Sequence, residues 1–278
     1  MKVAFLYAGQ GTQHPGMGRD LYETYPAFRS VFESAKVDFD LEKVCFEGPD
    51  ETLNQTQYTQ PCMVAFATGV TEVLQEKGVR PSVTAGLSLG EYSALHASGV
   101  LDPATAIELV AFRGKAMAEA VQGRLSAMAA IFMLGREELQ ACCDAASHLG
   151  VAEIANLNCP GQIVISGDAA AVDKAGELAK AAGAKRVLPL KVSGPFHTSL
   201  MAPAGDALRE KFIGRGGHDA ALLVHAVAAE VDVDMKLAQG AFVGYEEVVV
   251  HLGVLDVLLP EVAVQVRQRA ERFAARAE

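Results

Sequence analysis

The sequence predicts an α/β fold in which a mainly parallel sheet carries a large domain and a smaller unit is inserted into it. Three observations support this. Short apolar runs alternate with longer segments of helical period. Glycine-rich turns close several of these runs, as "GQGTQ" at 9–13 closes "VAFLYA" at 3–8. Between about 126 and 193 the order changes to strand, helix, strand, strand, helix, strand.

Taken in order, "VAFLYA" reads as a buried strand, because six apolar residues are too few for the core of a signal peptide. A helical pattern runs from about Gly18 to Val37, and "QPCMVAFATGVTEVLQEKG" (60–78) is helical with Gly78 at its C-terminal end. "SVTAGLS" (82–88) is a second strand, with the helix "LGEYSALHASG" (89–99) directly after it. Asp102 supplies an N-cap and Pro103 a first-turn proline for a helix reaching about Val121.

In the next region "SAMAAIFML" is a strand and "REELQACCDAASHL" a helix. "VAEIANLN" and "QIVISG" are strands paired through "CPG"; "AAAVDKAGELAKAAG" is a helix and "AKRVLPLKVS" a last strand. This βαββαβ order is the ferredoxin-like split βαβ. Residues 126–193 are therefore expected to form a small domain, and 1–125 with 194–278 a large one. The 66 residues from Ile213 to Glu278 differ in composition: they lack serine, threonine and asparagine and contain 13 valines. Within them "YEEVVVHLGVLDVLLP" reads as a strand and helix, and "AVQVRQRAERFAARAE" as a terminal helix.

With 278 residues, half of them apolar, the chain can fill a sizeable core. A net charge of −10 argues against nonspecific nucleic-acid binding. No apolar stretch is long enough to span a bilayer, so no membrane association is expected. The five cysteines have no metal-ligand spacing and read as reduced thiols packed in cores of a cytoplasmic protein. Neither a metal nor a redox cofactor is implied.

The candidate chemistry starts at Gly86-Leu87-Ser88-Leu89-Gly90, a G-x-S-x-G where a strand hands over to a helix. Glycines on both sides permit the sharp turn of a nucleophile elbow, as in a hydrolase-like large domain. A serine needs a base. His197, in "SGPFHTSLM", follows a strand at a Gly-Pro turn, whereas His14, His96 and His148 look peripheral. "GQG" after the first strand offers backbone N–H groups suited to an oxyanion, and lacks the features of a P-loop or dinucleotide fingerprint. Arg113 has Met117 four residues on, on the same helix face. It reads either as a solvated arginine or, given its apolar neighbours, as a group held ready for a carboxylate.

In this order, "GQGTQ", "GLSLGEYSAL", "FRGKAM", "NCPGQIVISG" and "GPFHTSLM" resemble the bacterial malonyl-CoA:acyl carrier protein transacylases, from residue 1 to about 212. The resemblance implies ping-pong transfer of malonyl from CoA to the phosphopantetheine thiol of acyl carrier protein. It implies Ser88 as nucleophile, His197 as base, and the backbone N–H groups of Gln10 and Leu89 as oxyanion hole. It also implies Arg113 on the malonyl carboxylate, with Met117 and Phe196 at the acyl pocket and Asn158 and Gln162 bordering the cleft. Leu87 stands where many members have histidine. Lys185, Arg186 and Lys191 read as a basic rim for the carrier protein or as a solvated face. A monomer is expected.

The segment 213–278 does not continue the resemblance, and a reading-frame slip is one origin for it. Two rivals follow. One is an impaired or inactive acyltransferase-like chain. The other is an α/β-hydrolase esterase, which would need an acidic third member and a His-Gly-Gly-type run that the sequence lacks.

Overall fold

The computed structural model describes residues 3–190, 192 and 194–213. It opens with β1 (Ala4–Tyr7), followed by α1 (Arg19–Thr24), α2 (Pro26–Ser34), α3 (Leu41–Glu47), α4 (Asp50–Leu53) and the long α5 (Thr56–Glu76). Next, β2 (Val83–Gly86) leads into α6 (Gly90–Ala97) and α7 (Pro103–Ala120). After these come β3 (Ser126–Phe132), α8 (Arg136–Ala146), β4 (Ala152–Cys159), β5 (Gln162–Asp168), α9 (Ala169–Ala181) and β6 (Arg186–Pro189). A 3-10 turn at Ser199–Met201 runs into α10 (Ala202–Ile213).

β1 and β2 pair in parallel, with Ala4 opposite Val83 and Tyr7 opposite Gly86. Parallel strands end on the same side, so the loop after Tyr7 and the turn after Gly86 leave the sheet next to each other. The main core fills the space between helices, with Phe28 of α2, Val64 of α5, Leu109 of α7 and Phe212 of α10 all buried.

The other four strands form an antiparallel sheet in the order β4-β5-β3-β6. Its side chains alternate between two cores. Ala129, Ile131, Ile163 and Ile165 meet Leu139 of α8 and Val172 of α9. Met128, Ala130 and Val164 instead meet Met117 and Val121, together with Phe196 and Met201. Both faces are covered, which is why "AMAAIF" has no polar position.

Several expectations need correction. The helical pattern from Gly18 to Val37 is two helices, because Tyr25, preceding Pro26, is extended (φ −115°, ψ 113°) and ends α1. Helix α5 starts at Thr56, earlier than the expected 60, and carries Pro61 inside it. Asp102 does cap α7, accepting from Thr105 N–H at 2.9 Å. Four cysteines are buried, but Cys159, at the tip of the β4–β5 hairpin, is exposed. The elements expected beyond Ile213, and Lys191, lie outside the described residues.

Candidate active site

Ser88 sits in the turn between β2 and α6 with φ 54°, a left-handed conformation that a side-chain-bearing residue keeps only when its surroundings enforce it. Leu87 N–H donates to the Tyr7 carbonyl, Gly90 N–H to the Leu87 carbonyl and Glu91 N–H to the Ser88 carbonyl, each at 3.0 Å. A Cβ on Gly86 would fall 2.1 Å from the Gly90 carbonyl carbon, and one on Gly90 would fall 2.5 Å from the Tyr7 oxygen. Strand, turn and helix therefore touch backbone to backbone, which only glycine allows. The loop after β1 is equally close, since a Cβ on Gly9 would lie 3.0 Å from the Leu87 oxygen. Gln10 follows directly, its side chain tied by Nε2 donating to Thr56 Oγ1 at 3.3 Å. Leu89 is buried at the start of α6.

Two side chains converge on Ser88 Oγ. His197 Nε2 lies 3.1 Å from it, and Arg113 Nη2 donates to it at 3.0 Å. A guanidinium can only donate, so the serine oxygen accepts from Arg113 and its own hydrogen is available to His197 Nε2. That arrangement requires the histidine tautomer with the proton on Nδ1.

Arg113 is only 1% exposed, which overturns the solvated reading. Its apolar neighbours on α7 bury it, and Gln60 Oε1 accepts from Nη1 at 2.7 Å. The close approach of α5 and α7 depends on Gly114, where a Cβ would meet the Thr56 carbonyl oxygen at 2.7 Å. The Gln60 amide nitrogen faces Met117 Sδ at 3.4 Å, so one buried amide joins the arginine and the methionine. Sequence reasoning missed Gln60. Its signal was an amide directly at the head of an apolar helical run, and a buried amide must find partners.

His197 also has a positive φ, 60°. Phe196 before it is buried in the core beneath α7, and Thr198 after it is buried with Oγ1 donating to the Pro195 carbonyl at 2.7 Å. Asn158 is exposed near the end of β4. Gln162, half-buried at the start of β5, has Oε1 3.9 Å from Cys159 Sγ. The hydrogen bonds that gather Ser88, His197, Arg113, Gln60 and Met117 include neither. Lys185 and Arg186 are exposed beside and on β6.

His14 and His148 are exposed, as expected, but His96 is not peripheral. It is 6% exposed, with Nδ1 3.0 Å from the Leu101 carbonyl oxygen and Nε2 3.0 Å from Glu72 Oε1. The helix turns this residue toward α5 rather than solvent. Among the thiols, burial pushes Cys143 up to about 12, and the neighbouring Cys45 together with burial raises Cys62. Neither is a thiolate at neutral pH, so neither competes with Ser88 as a nucleophile.

A half-buried serine–histidine contact beside a buried guanidinium is an arrangement suited to acyl chemistry on an anionic substrate. Residues 4–216 match the acyl transferase domain family, and the chain belongs to it. It is 48% identical over 212 residues to the malonyl CoA-acyl carrier protein transacylase of Bacillus subtilis, a match covering 75% of this chain and 67% of that protein. It is 45% identical over 210 residues to the protein of that name from Escherichia coli K12, covering 74% and 68%. Among solved structures, the Streptococcus pneumoniae enzyme superposes with a TM-score of 0.72 at 49% identity, covering 76% of this chain and 70% of that one. A type II PKS acyl-carrier protein in complex with its malonyl-transacylase gives 0.73 at 43%, covering 77% and 70%.

Proposed function

We propose that this chain is an acyl-carrier-protein S-malonyltransferase working through a malonyl-Ser88 ester. The observation that carries the reading is Ser88 Oγ held between His197 Nε2 and Arg113 Nη2 at 3.1 and 3.0 Å. The turn at Ser88 serves as the nucleophile elbow. His197 takes the hydroxyl proton as Oγ attacks the thioester carbonyl. The oxyanion is received by the backbone N–H groups of Gln10 and Leu89, and one such donor is worth about 3–4 kcal/mol. As the tetrahedral intermediate collapses, the C–S bond breaks and the CoA sulfur takes the proton from Nε2. The second half runs in reverse, with the phosphopantetheine thiol attacking the ester.

In malonyl the carboxylate lies two bonds beyond the acyl carbon, so a guanidinium already 3.0 Å from Oγ is within reach of it once the ester forms. Charged hydrogen bonds of this kind contribute about 1.5–3 kcal/mol each. Met117 and Phe196 line the acyl pocket, and Asn158 and Gln162 border the cleft. The reading divides the chain into a ferredoxin-like unit (126–193) set into the larger acyltransferase domain (1–125 and 194–278). Malonyl-CoA and acyl carrier protein are substrates, and no cofactor enters. Lys185 and Arg186 offer positive charge to an acidic carrier protein. The reaction belongs to the cytoplasm, where free cysteines persist. The relatives are transacylases, which favours transfer over ester hydrolysis and over an inactive chain.

Intact-mass measurement after incubation with malonyl-CoA tests this. One added malonyl group, absent in Ser88→Ala, is expected. No adduct on the folded wild-type protein would refute it.

A further inference from the structure

His197 holds a strained backbone conformation at the end of a loop, and such a residue stays in place only if both sides are fixed. On its N-terminal side Phe196 is buried in the core shared by α7 and the four-stranded sheet. On its C-terminal side Thr198 is buried and tied to the Pro195 carbonyl, and one residue further on a second restraint comes from elsewhere in the chain. Glu153 of β4 accepts from Ser199 N–H through Oε2 and from Ser199 Oγ through Oε1, both at 2.7 Å. Ile154 points to the core under α8 and α9, while Ala155 packs against the core that holds Phe196. Glu153, one residue before Ile154, therefore faces the His197 segment across the sheet. Ser199 opens the 3-10 turn that continues into α10. A carboxylate at that point pairs with the first free N–H of a helical run and with the positive end of its dipole. Both contacts are charge-assisted, and together they restrain position and direction.

We propose that Glu153 is a positioning residue for His197: its carboxylate clamps Ser199 and so keeps Nε2 within proton-transfer distance of Ser88 Oγ. The inference rests on the Ser88–His197 reading above. The histidine loop is thereby fixed from the four-stranded sheet, separately from Arg113 and Gln60, which hold the acyl side of the site. Losing the clamp slows proton transfer and leaves malonyl recognition alone.

The test uses the full-length protein and malonyl-CoA, following Ser88 malonylation by rapid quench and intact mass. Glu153→Ala is expected to lower the rate at saturating malonyl-CoA by on the order of 10–100-fold, as misplacement of about 1 Å does. KM should stay within about twofold. Glu153→Gln, which keeps one oxygen acceptor, should recover part of the loss. Ser199→Ala removes only the hydroxyl contact and should fall between wild type and Glu153→Ala, which keeps the test available if Glu153→Ala folds poorly. Wild-type rates in Glu153→Ala and Ser199→Ala would overturn the inference. So would losses that vanish when rates are normalised to folded protein. Ser88→Ala and His197→Ala separate the two levels. If His197→Ala acylates at the wild-type rate, the dyad reading itself fails. If it is inactive while Glu153→Ala is normal, only the role of Glu153 fails.

Discussion

Replacing Gln60 by alanine removes the oxygen that accepts from Arg113 Nη1 at 2.7 Å, in a region where both residues are 1% exposed. A buried hydrogen bond to a charged group is worth about 1.5–3 kcal/mol. If that energy is realised when Arg113 meets the malonyl carboxylate, kcat/KM for malonyl-CoA falls about 10- to 150-fold. Acetyl-CoA carries no carboxylate, so its kcat/KM should change by less than about threefold. The assay is CoA release with each thioester in the presence of holo carrier protein, with Arg113→Ala as the comparison for complete loss of the contact. Thermal unfolding runs alongside, because the deletion also leaves space beside Met117. Gln60→Glu sharpens the result: its carboxylate satisfies Arg113 but competes with malonyl, so malonyl use should fall in a well-folded protein. Equal losses for both thioesters would refute the reasoning and reduce Gln60 to core packing.

Two further outcomes follow from the scaffold. Gly90→Ala places a Cβ 2.5 Å from the Tyr7 carbonyl oxygen and should cost about 3 kcal/mol in urea denaturation, with a parallel loss of acylation; wild-type stability would contradict the backbone contact. Asp168 accepts from Val151 N–H at 2.8 Å and pairs with Arg124 at 2.6 Å, and these contacts hold its carboxyl below its ordinary value of 3.8. A depressed folded-state pKa gives stability that is present above the unfolded value and lost as pH falls through the folded one. Asp168→Asn should therefore cost about 1 kcal/mol at neutral pH, discounted for partial exposure, and the gap from wild type should narrow as pH falls below 3.8 in thermal melts.

What the sequence made legible was what neighbours in the chain decide. Two glycines flanking Ser88, an apolar strand before it and a helix after it are local, and the structure has β2, Ser88 and α6 in that order. The N-cap at Asp102 is equally local. The succession of strands and helices from 126 to 189 was read from local pattern and turn residues, whereas their order in the sheet was not. Legibility stopped where a side chain's surroundings come from distant segments. The fate of Arg113 was open between solvent and burial because its partners Gln60 and Ser88 are 53 and 25 residues away. His96 was misread because helical period shows which residues share a face, not which helix that face meets. Pro26 divided an apparently continuous helix because a local steric rule outweighed the longer hydrophobic pattern.

The same distinction separates the two halves of the proposed reacting pair. Among the described residues three non-glycines have positive φ: Ser88, Met133 and His197. Each costs on the order of 1–3 kcal/mol of backbone strain, which must be offset by contacts that leave no easier conformation. For Ser88 part of that enforcement lies within the motif, in the close approach of Gly86 to Gly90, and is read together with the serine, although Tyr7 and Gly9 of the β1 end complete it. For His197 the visible contacts lie mostly elsewhere: a core shared with α7 and the four-stranded sheet, and a carboxylate 44 positions earlier than the histidine. In the proposed mechanism, a base whose position is set by a different part of the chain depends on how those parts meet. The distance of 3.1 Å between Nε2 and Oγ is thus the junction of two separately held segments. Perturbing either holder should slow acylation without altering which acyl group is preferred, whereas perturbing Gln60 or Arg113 should alter the preference.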